Sequence, residues 1–180
     1  TQEWMVGNLK TTKYNDGTPI SQVTDNNVWG SLTTPAYCWY ENNSTYKTPY
    51  GALYNWYVVD PSNPKKVCPT NFHVPSAAEW TILDNFIGGD GGKLKEADLS
   101  HWKSPNIGAS NTTGFSALPA GERDSFGDFD GLGNYACFWT STEDGSNLAY
   151  YQYLYYNNAG VTRYDGSKVV GFSVVCVRDN

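Results

Sequence analysis

The sequence lacks the features that mark membrane proteins and nucleic-acid-binding proteins. No apolar run approaches the roughly 20 residues that a membrane-spanning helix needs, so we expect no membrane insertion. Basic residues are scarce: 12 Lys and Arg stand against 18 Asp and Glu, and they form no cluster. Because binding to nucleic acid depends on basic side chains that neutralise phosphates, the net charge of −6 argues against nucleic acid as a partner.

Catalytic and metal-binding motifs are missing as well. The two histidines, His73 and His101, stand in no zinc-protease motif, and no G-x-S-x-G serine motif occurs. The four cysteines are too widely spaced for C-x-x-C zinc ligands. We therefore predict no enzyme activity and no cofactor, with one alternative left open. Asp128, Asp130 and Asn134 share one short loop, and their oxygens are suitable ligands for a structural calcium ion.

Aromatic residues and glycine are what the sequence has in abundance. The 180 residues include 14 Tyr, 7 Trp and 7 Phe, together with 18 Gly and 9 Pro. This length fits a single domain over residues 1–180, and the Gly and Pro content indicates many turns. Tyr and Trp combine an apolar body with a polar tip, which suits a partly hydrated binding surface.

Local patterns predict two helices in the first half of the chain. Pro49 and the spacing of the apolar residues after it indicate a short helix over 50–59. Ser76 and Glu79 form a capping box at the start of a second helix, which Gly88 and Gly89 end. A short strand is predicted over residues 4–9, and a Gly-rich loop region over 88–134.

The last quarter of the chain has a β pattern. Runs of β-branched and aromatic residues predict strands over 136–141, 148–156 and 169–177. Turns are predicted between them at Asp144-Gly145, over 157–160 and at Asp165-Gly166. Early helices followed by late strands indicate an α+β fold with an antiparallel sheet.

Six segments in series resemble the Fibrobacter succinogenes major paralogous domain, a family of secreted bacterial surface modules. They run in order along essentially the whole chain. In one-letter code they are QEWM with NLK (2–10), YGALYNW (50–56), CP through HVPS to EW (68–80), GFSALP (114–119), WTSTE (139–143) and GFSV with Cys176 (171–176).

The resemblance implies a C-type-lectin-like α+β fold, with small, mostly antiparallel sheets flanked by two helices and long loop regions. In this fold the two chain ends pair in one sheet, and a disulfide ties the first long helix to the last strand. Cys68 and Cys176 occupy those positions, so the resemblance predicts a Cys68–Cys176 disulfide. Cys38 and Cys137 are left open as either unpaired or bonded to each other. Formylglycine-generating enzymes share the fold, but they need two closely spaced cysteines near the C-terminus, which this sequence lacks.

The strongest functional signal is the composition of the C-terminal stretch. Tyr, Ser, Gly and Asn account for 15 of the 28 residues from Ser141 to Lys168. This composition is typical of antibody binding loops, in which Tyr gives rigid contact and the small polar residues give hydrogen bonds. Within 148–156, strand alternation places Tyr151, Tyr153 and Tyr155 on one sheet face and Tyr150, Gln152 and Tyr156 on the other.

We therefore predict a ligand-binding domain that is extracellular or attached to a cell surface, with a glycan or protein receptor as its partner. Widely spaced cysteines and the family resemblance both favour this location. Two alternatives are a structural module of a larger surface protein and the variable target of a diversity-generating retroelement. The sequence gives no prediction of oligomeric state. The predicted contact residues are Phe138, Tyr150, Gln152, Tyr156, Asn158, Tyr164 and Asp165.

Overall fold

The computed structural model of the protein describes residues 1–179 and contains both helices and strands. The strands are β1 (Ser21–Gln22), β2 (Ala36–Cys38), β3 (Leu53–Tyr54), β4 (Phe72–His73), β5 (Ala120–Arg123), β6 (Phe129–Leu132), β7 (Tyr135–Glu143), β8 (Leu148–Tyr155), β9 (Thr162–Ser167) and β10 (Val177–Arg178). The helices are α1 (Asn26–Gly30), α2 (Lys47–Tyr50) and α3 (Ala77–Ile87), with 3₁₀ turns at Tyr40–Asn42, Ser44–Tyr46, Trp56–Val58 and Gly91–Lys93. This content confirms the α+β prediction.

A five-stranded sheet in the order β6-β5-β7-β8-β9 is the largest element. Its neighbouring strands are antiparallel except for β5 and β7, which are parallel. The structure also contains two smaller sheets, β1-β2-β3 and β10-β4. The chain ends meet beside the smaller of these, where Trp4 bridges Val177 and the Met5 amide donates to the Cys176 carbonyl at 2.9 Å. Within residues 1–179, no helix is long and apolar enough to cross a membrane.

Helix α3 forms as the capping box predicts. The Ser76 hydroxyl accepts from the Glu79 amide at 3.2 Å, and the Glu79 carboxylate accepts from the Ser76 amide at 2.7 Å. Gly88 ends the helix in the left-handed conformation, at φ 70°. Trp80 and Leu83 pack from the helix into a core cluster that includes Phe138 of the large sheet. One side of the large sheet is therefore covered by α3.

His73 contacts the first turn of α3 and the C-terminal segment. Its Nε2 lies 2.7 Å from Oε1 of Glu79, and its Nδ1 lies 2.6 Å from Oδ1 of Asp179. Burial lowers the pKa of His73, but its hydrogen bonds to Asp179 and Glu79 outweigh this, and the pKa is raised overall. The imidazole therefore joins the helix cap to the C-terminal segment, and it does so most strongly when it is protonated.

The predicted helix over 50–59 is wrong. The segment contains strand β3 and the 3₁₀ turn Trp56–Val58, and Gly51 has a φ of 79°. Ala52, Leu53, Tyr54 and Trp56 are all buried, so the segment has no solvent-facing side of the kind an amphipathic helix needs. Only one long helix, α3, therefore stands where two were expected among residues 1–179.

The strand predictions are partly right. Strands β7 and β8 match the predictions for 136–141 and 148–156, and Gly145 turns the chain between them. In contrast, residues 4–9 form a single bridge because Gly7, at φ 81°, interrupts the extended run. Of residues 169–177, only Val177 lies in a regular strand. The predicted turn at Asp165-Gly166 is wrong, because both residues lie within β9.

The predicted disulfide between Cys68 and Cys176 is present and joins positions 108 residues apart. Cys38 and Cys137 are unpaired and buried, which settles the alternative left open by the sequence. Burial raises the pKa of Cys38 to about 12 in spite of nearby Arg123, and it raises the pKa of Cys137 well above the usual value. Both of these thiols are therefore protonated at neutral pH.

Candidate functional site

Five tyrosines lie on the face of the large sheet opposite α3. Strand pairing places Tyr135 of β7 beside Tyr155 of β8, and Tyr151 of β8 beside Tyr164 of β9. Tyr153 lies between the two pairs, on the same side of β8 by alternation. We call these five residues the tyrosine face.

The rings of the tyrosine face contact one another in a continuous strip. The Tyr153 ring is at its centre, with its centroid 5.4 Å from that of Tyr135 and 5.9 Å from those of Tyr155 and Tyr164. Tyr153 stacks on Tyr155 at an interplanar angle of 22° and meets Tyr164 edge to face at 74°. Such geometries are the favoured ones for aromatic pairs, so each ring restricts the movement of the next.

One end of the tyrosine face is anchored in the core. The Tyr151 ring packs on Phe172 with centroids 4.4 Å apart, and Phe172 packs in turn on Trp139 at 4.6 Å. The Trp139 indole donates to the Tyr54 carbonyl at 2.9 Å, which links this end to strand β3. Tyr164, which pairs with Tyr151 at this end, is 48% exposed, and Tyr135, Tyr153 and Tyr155 are half-buried.

The buried side chain of Lys95 holds the C-terminal end of strand β8 in place. The Lys95 ammonium donates to the carbonyls of Ile107, Tyr155 and Asn158 at 2.7, 3.1 and 2.9 Å. Burial lowers the pKa of Lys95 to about 8. These contacts tie the long loop before β5 to the end of β8, so the backbone that carries Tyr155 is held in place.

Two glycines make room for the rings. A Cβ atom on Gly131 of β6 would overlap the ring of Tyr135. A Cβ on Gly166 of β9 would lie 3.2 Å from Cε1 of Tyr151, which is tighter than usual van der Waals contact. The rings of Tyr135 and Tyr151 therefore lie against backbone that carries no side chain.

Two carboxylates border the tyrosine face. Glu122 of β5 stands directly opposite Asp130 of β6, and the Tyr135 hydroxyl lies 3.4 Å from Oδ2 of Asp130. Burial raises the pKa of Glu122, the negative charges of Asp130 and Asp124 raise it further, and a hydrogen bond with Tyr135 opposes the shift. The edge of the face on β5 and β6 is therefore acidic.

The phenol groups keep their protons near neutral pH. Burial raises the pKa of Tyr135, Tyr151 and Tyr153, and nearby Glu122 and Cys137 raise it further. A protonated phenol offers both a donor and an acceptor, while its ring offers an apolar surface. The tyrosine face can therefore hold a ligand by stacking and by hydrogen bonds.

Two of the predicted contact residues must be corrected, because the structure buries them. Phe138 is 0% exposed and Gln152 is 5% exposed. Phe138 packs with Trp80 of α3, and Gln152 is paired with Phe138 across the sheet, so both lie on the side that α3 covers. Alternation alone could not identify this side. Neither side chain can reach a ligand at the surface without unfolding of the sheet.

The remaining predicted contact residues lie in different places. Tyr150 and Tyr156 are half-buried. Tyr150 lies on the side of the sheet opposite the tyrosine face, where its ring centroid is 5.4 Å from Cζ of Arg163. Asn158 and Asp165 are exposed. Tyr164 is the one predicted contact residue that belongs to the tyrosine face.

The structure does not gather the three calcium candidates into an obvious site. Asp128 accepts a hydrogen bond from Asn26 at 3.0 Å, Asp130 stands opposite Glu122, and Asn134 is half-buried. Among residues 1–179, no group of three or more His, Cys, Asp or Glu side chains is placed to hold a metal ion. A structural calcium ion stays an untested prediction.

Sequence reasoning assigned no contact role to Tyr135, Tyr151, Tyr153, Tyr155 or Glu122. Alternation along β8 did group its three tyrosines of the tyrosine face, but it did not show which side of the sheet is covered. The pairing of Glu122 with Asp130 carried no signal in the sequence, because it depends on a hairpin that was predicted as loop.

The chain matches a known protein family. The sequence model of the Fibrobacter succinogenes major domain matches residues 1–178, and this description names no ligand and no activity. No curated protein and no solved structure matches the chain. Since the match covers nearly all of the sequence, this chain belongs to the Fibrobacter succinogenes major domain family.

Proposed function

We propose that this chain is a ligand-binding domain of a secreted or cell-surface protein, with a C-type-lectin-like fold, that binds a glycan or protein receptor through its tyrosine face. The observation that carries the proposal is the continuous strip of five tyrosine rings. These rings are partly exposed, and they are held in place by one another and by the core on which the sheet packs. The raised pKa of Tyr135 and Tyr153 makes these phenols weak acids near neutral pH and leaves no phenolate to act as a base, which favours a binding role over a catalytic one.

The rigidity of the face favours binding. A ligand that orders mobile side chains loses about 0.5–1.5 kcal/mol for each one, which weakens the complex. Tyr153 already contacts three other rings, and Tyr151 is fixed on Phe172. Much of this ordering cost is therefore met during folding.

The chemistry suits either class of partner. Sugar rings stack their C–H faces on aromatic rings, and protein interfaces are enriched in tyrosine because it buries apolar area while retaining a hydroxyl. Aromatic residues are also the commonest interface residues whose truncation costs more than about 2 kcal/mol.

Two features support the lectin-like fold and the extracellular location. The chain ends meet at the Trp4–Val177 bridge, and the long stretch between α3 and β7 contains few regular elements, as that fold requires. The Cys68–Cys176 disulfide is stable in an oxidising compartment and is rare in the reducing cytosol.

The proposal is tested by a screen against a glycan array and against whole cells, with and without EDTA. We expect at least one glycan or cell surface to bind the wild-type protein. Tyr153→Ala and Tyr164→Ala should each weaken this binding about tenfold or more, which corresponds to about 1.4 kcal/mol.

The matched control is Tyr150→Ala, which changes the same residue type on the other side of the same sheet. We expect less than a twofold change in affinity for this variant. A loss of binding for Tyr150→Ala with none for Tyr153→Ala and Tyr164→Ala would contradict the proposal. If EDTA abolishes binding, a calcium ion takes part.

A further inference from the structure

The acidic edge of the tyrosine face places two like charges together. Glu122 and Asp130 face each other directly across strands β5 and β6. Like charges in directly opposed positions destabilise a sheet. Partial burial of Glu122 strengthens the repulsion, because the pair is less well screened by water than an exposed pair.

No basic side chain of the described residues relieves this repulsion. Of the ion pairs within residues 1–179, none includes Glu122 or Asp130. The adjacent Arg123 is buried on the other side of β5, where its guanidinium lies 4.5 Å from the centre of the Trp29 ring. Lys168 is bound to Glu143 at 2.8 Å.

Aromatic rings border the same pair of carboxylates. Tyr135 touches Asp130 through its hydroxyl and Tyr153 through its ring. The faces of aromatic rings attract cations, and the attraction grows when the cation is partly removed from water. Carboxylates and aromatic rings side by side suit a guanidinium, which is planar, stacks on rings and bridges two carboxylates.

We propose that the tyrosine face binds an arginine side chain of a protein receptor, with its guanidinium against Tyr135 and Tyr153 and with Glu122 and Asp130 as its counter-ions. This inference rests on the proposed function and selects a basic protein segment as the partner. The net charge of −6 adds a long-range attraction toward such a partner.

The test uses two small probes, N-acetylarginine amide and N-acetylcitrulline amide, which have nearly the same shape but differ in charge. Each is titrated into protein with ¹³C-labelled tyrosine rings, and ring chemical shifts are followed by NMR. We expect the arginine probe to shift the Tyr135 and Tyr153 resonances and to bind at least fivefold more tightly than the citrulline probe.

The variant Glu122→Gln/Asp130→Asn removes both charges and keeps both shapes. We expect it to abolish the preference for the arginine probe, whereas Glu3→Gln, which changes an exposed carboxylate bound to Arg178, should retain it. Equal binding of the two probes, or a preference that survives in the double variant, would overturn the inference.

The glycan and cell screen separates failure of this inference from failure of the proposed function. If a neutral glycan binds through Tyr153 and neither carboxylate affects its affinity, the proposed function stands and the arginine proposal is wrong. If no partner depends on the tyrosine face and the arginine probe shifts no ring resonance, both proposals are wrong.

Discussion

Removal of the Cys68–Cys176 disulfide should lower the free energy of unfolding by about 4–5 kcal/mol. The bond joins residues 108 positions apart, and the loop-closure relation for a loop of this length gives that value at 25 °C. Domains have total stabilities of about 5–15 kcal/mol, so the expected loss is a large part of the whole. The bond holds the segment before α3 against the C-terminal segment, and thereby the frame beneath the tyrosine face.

The prediction is checked by urea unfolding of Cys68→Ala/Cys176→Ala, followed by tryptophan fluorescence. The control is Cys38→Ala/Cys137→Ala, which removes two buried thiols without releasing a loop and should cost less. A loss below about 1 kcal/mol for the first variant, or an equal loss for both, would refute the reasoning.

Mass spectrometry tests the pairing itself. When the wild-type protein is unfolded in denaturant without reductant, iodoacetamide should label two cysteines, Cys38 and Cys137. With reductant it should label all four. Labelling of Cys68 or Cys176 in the absence of reductant would contradict the assigned bond.

Three further substitutions test local features. Ser76→Ala removes the α3 cap and should cost about 1 kcal/mol in urea unfolding; no loss would contradict the cap. For His73, burial lowers the pKa, but the hydrogen bonds that its ring donates to two flanking carboxylates raise the pKa overall. The stabilisation is therefore present below the unfolded pKa of about 6.5 and is lost as pH rises through the folded pKa. His73→Gln should flatten the dependence of the urea midpoint between pH 5.5 and 8.5, and an unchanged slope would contradict this. Gly131→Ala should destabilise the protein more than Gly145→Ala, because both have φ near 80° but only the first new methyl group strikes a ring, that of Tyr135; equal melting temperatures would contradict the packing.

The sequence predicted the elements whose signals are local. The α3 cap depends on Ser76 and Glu79 alone, and Gly88 ends the helix because glycine readily adopts the left-handed conformation. Strand β9 was missed because residues 162–165 are exposed and polar, so it has no apolar alternation to detect. The helix prediction for residues 50–59 was wrong because the apolar and aromatic residues of this segment are buried on all sides and do not form one apolar face of a helix.

The candidate site was predictable in kind but not in position. Tyrosine density in the C-terminal stretch indicated a binding surface, and alternation separated the rings of β8 into two sets. The choice between the sets depends on where α3 packs, which is a tertiary contact between distant parts of the chain. For this reason Phe138 and Gln152 were selected and Tyr153 was not.

The most direct test of the tyrosine face is a footprint of the bound partner. Protein with ¹³C-labelled tyrosine rings is titrated with the glycan or receptor that the screen identifies, and the 14 tyrosines are followed by NMR. We predict that the largest shifts occur at Tyr153, Tyr155 and Tyr164. Shifts confined to tyrosines outside the large sheet, such as Tyr14 or Tyr57, would contradict the account.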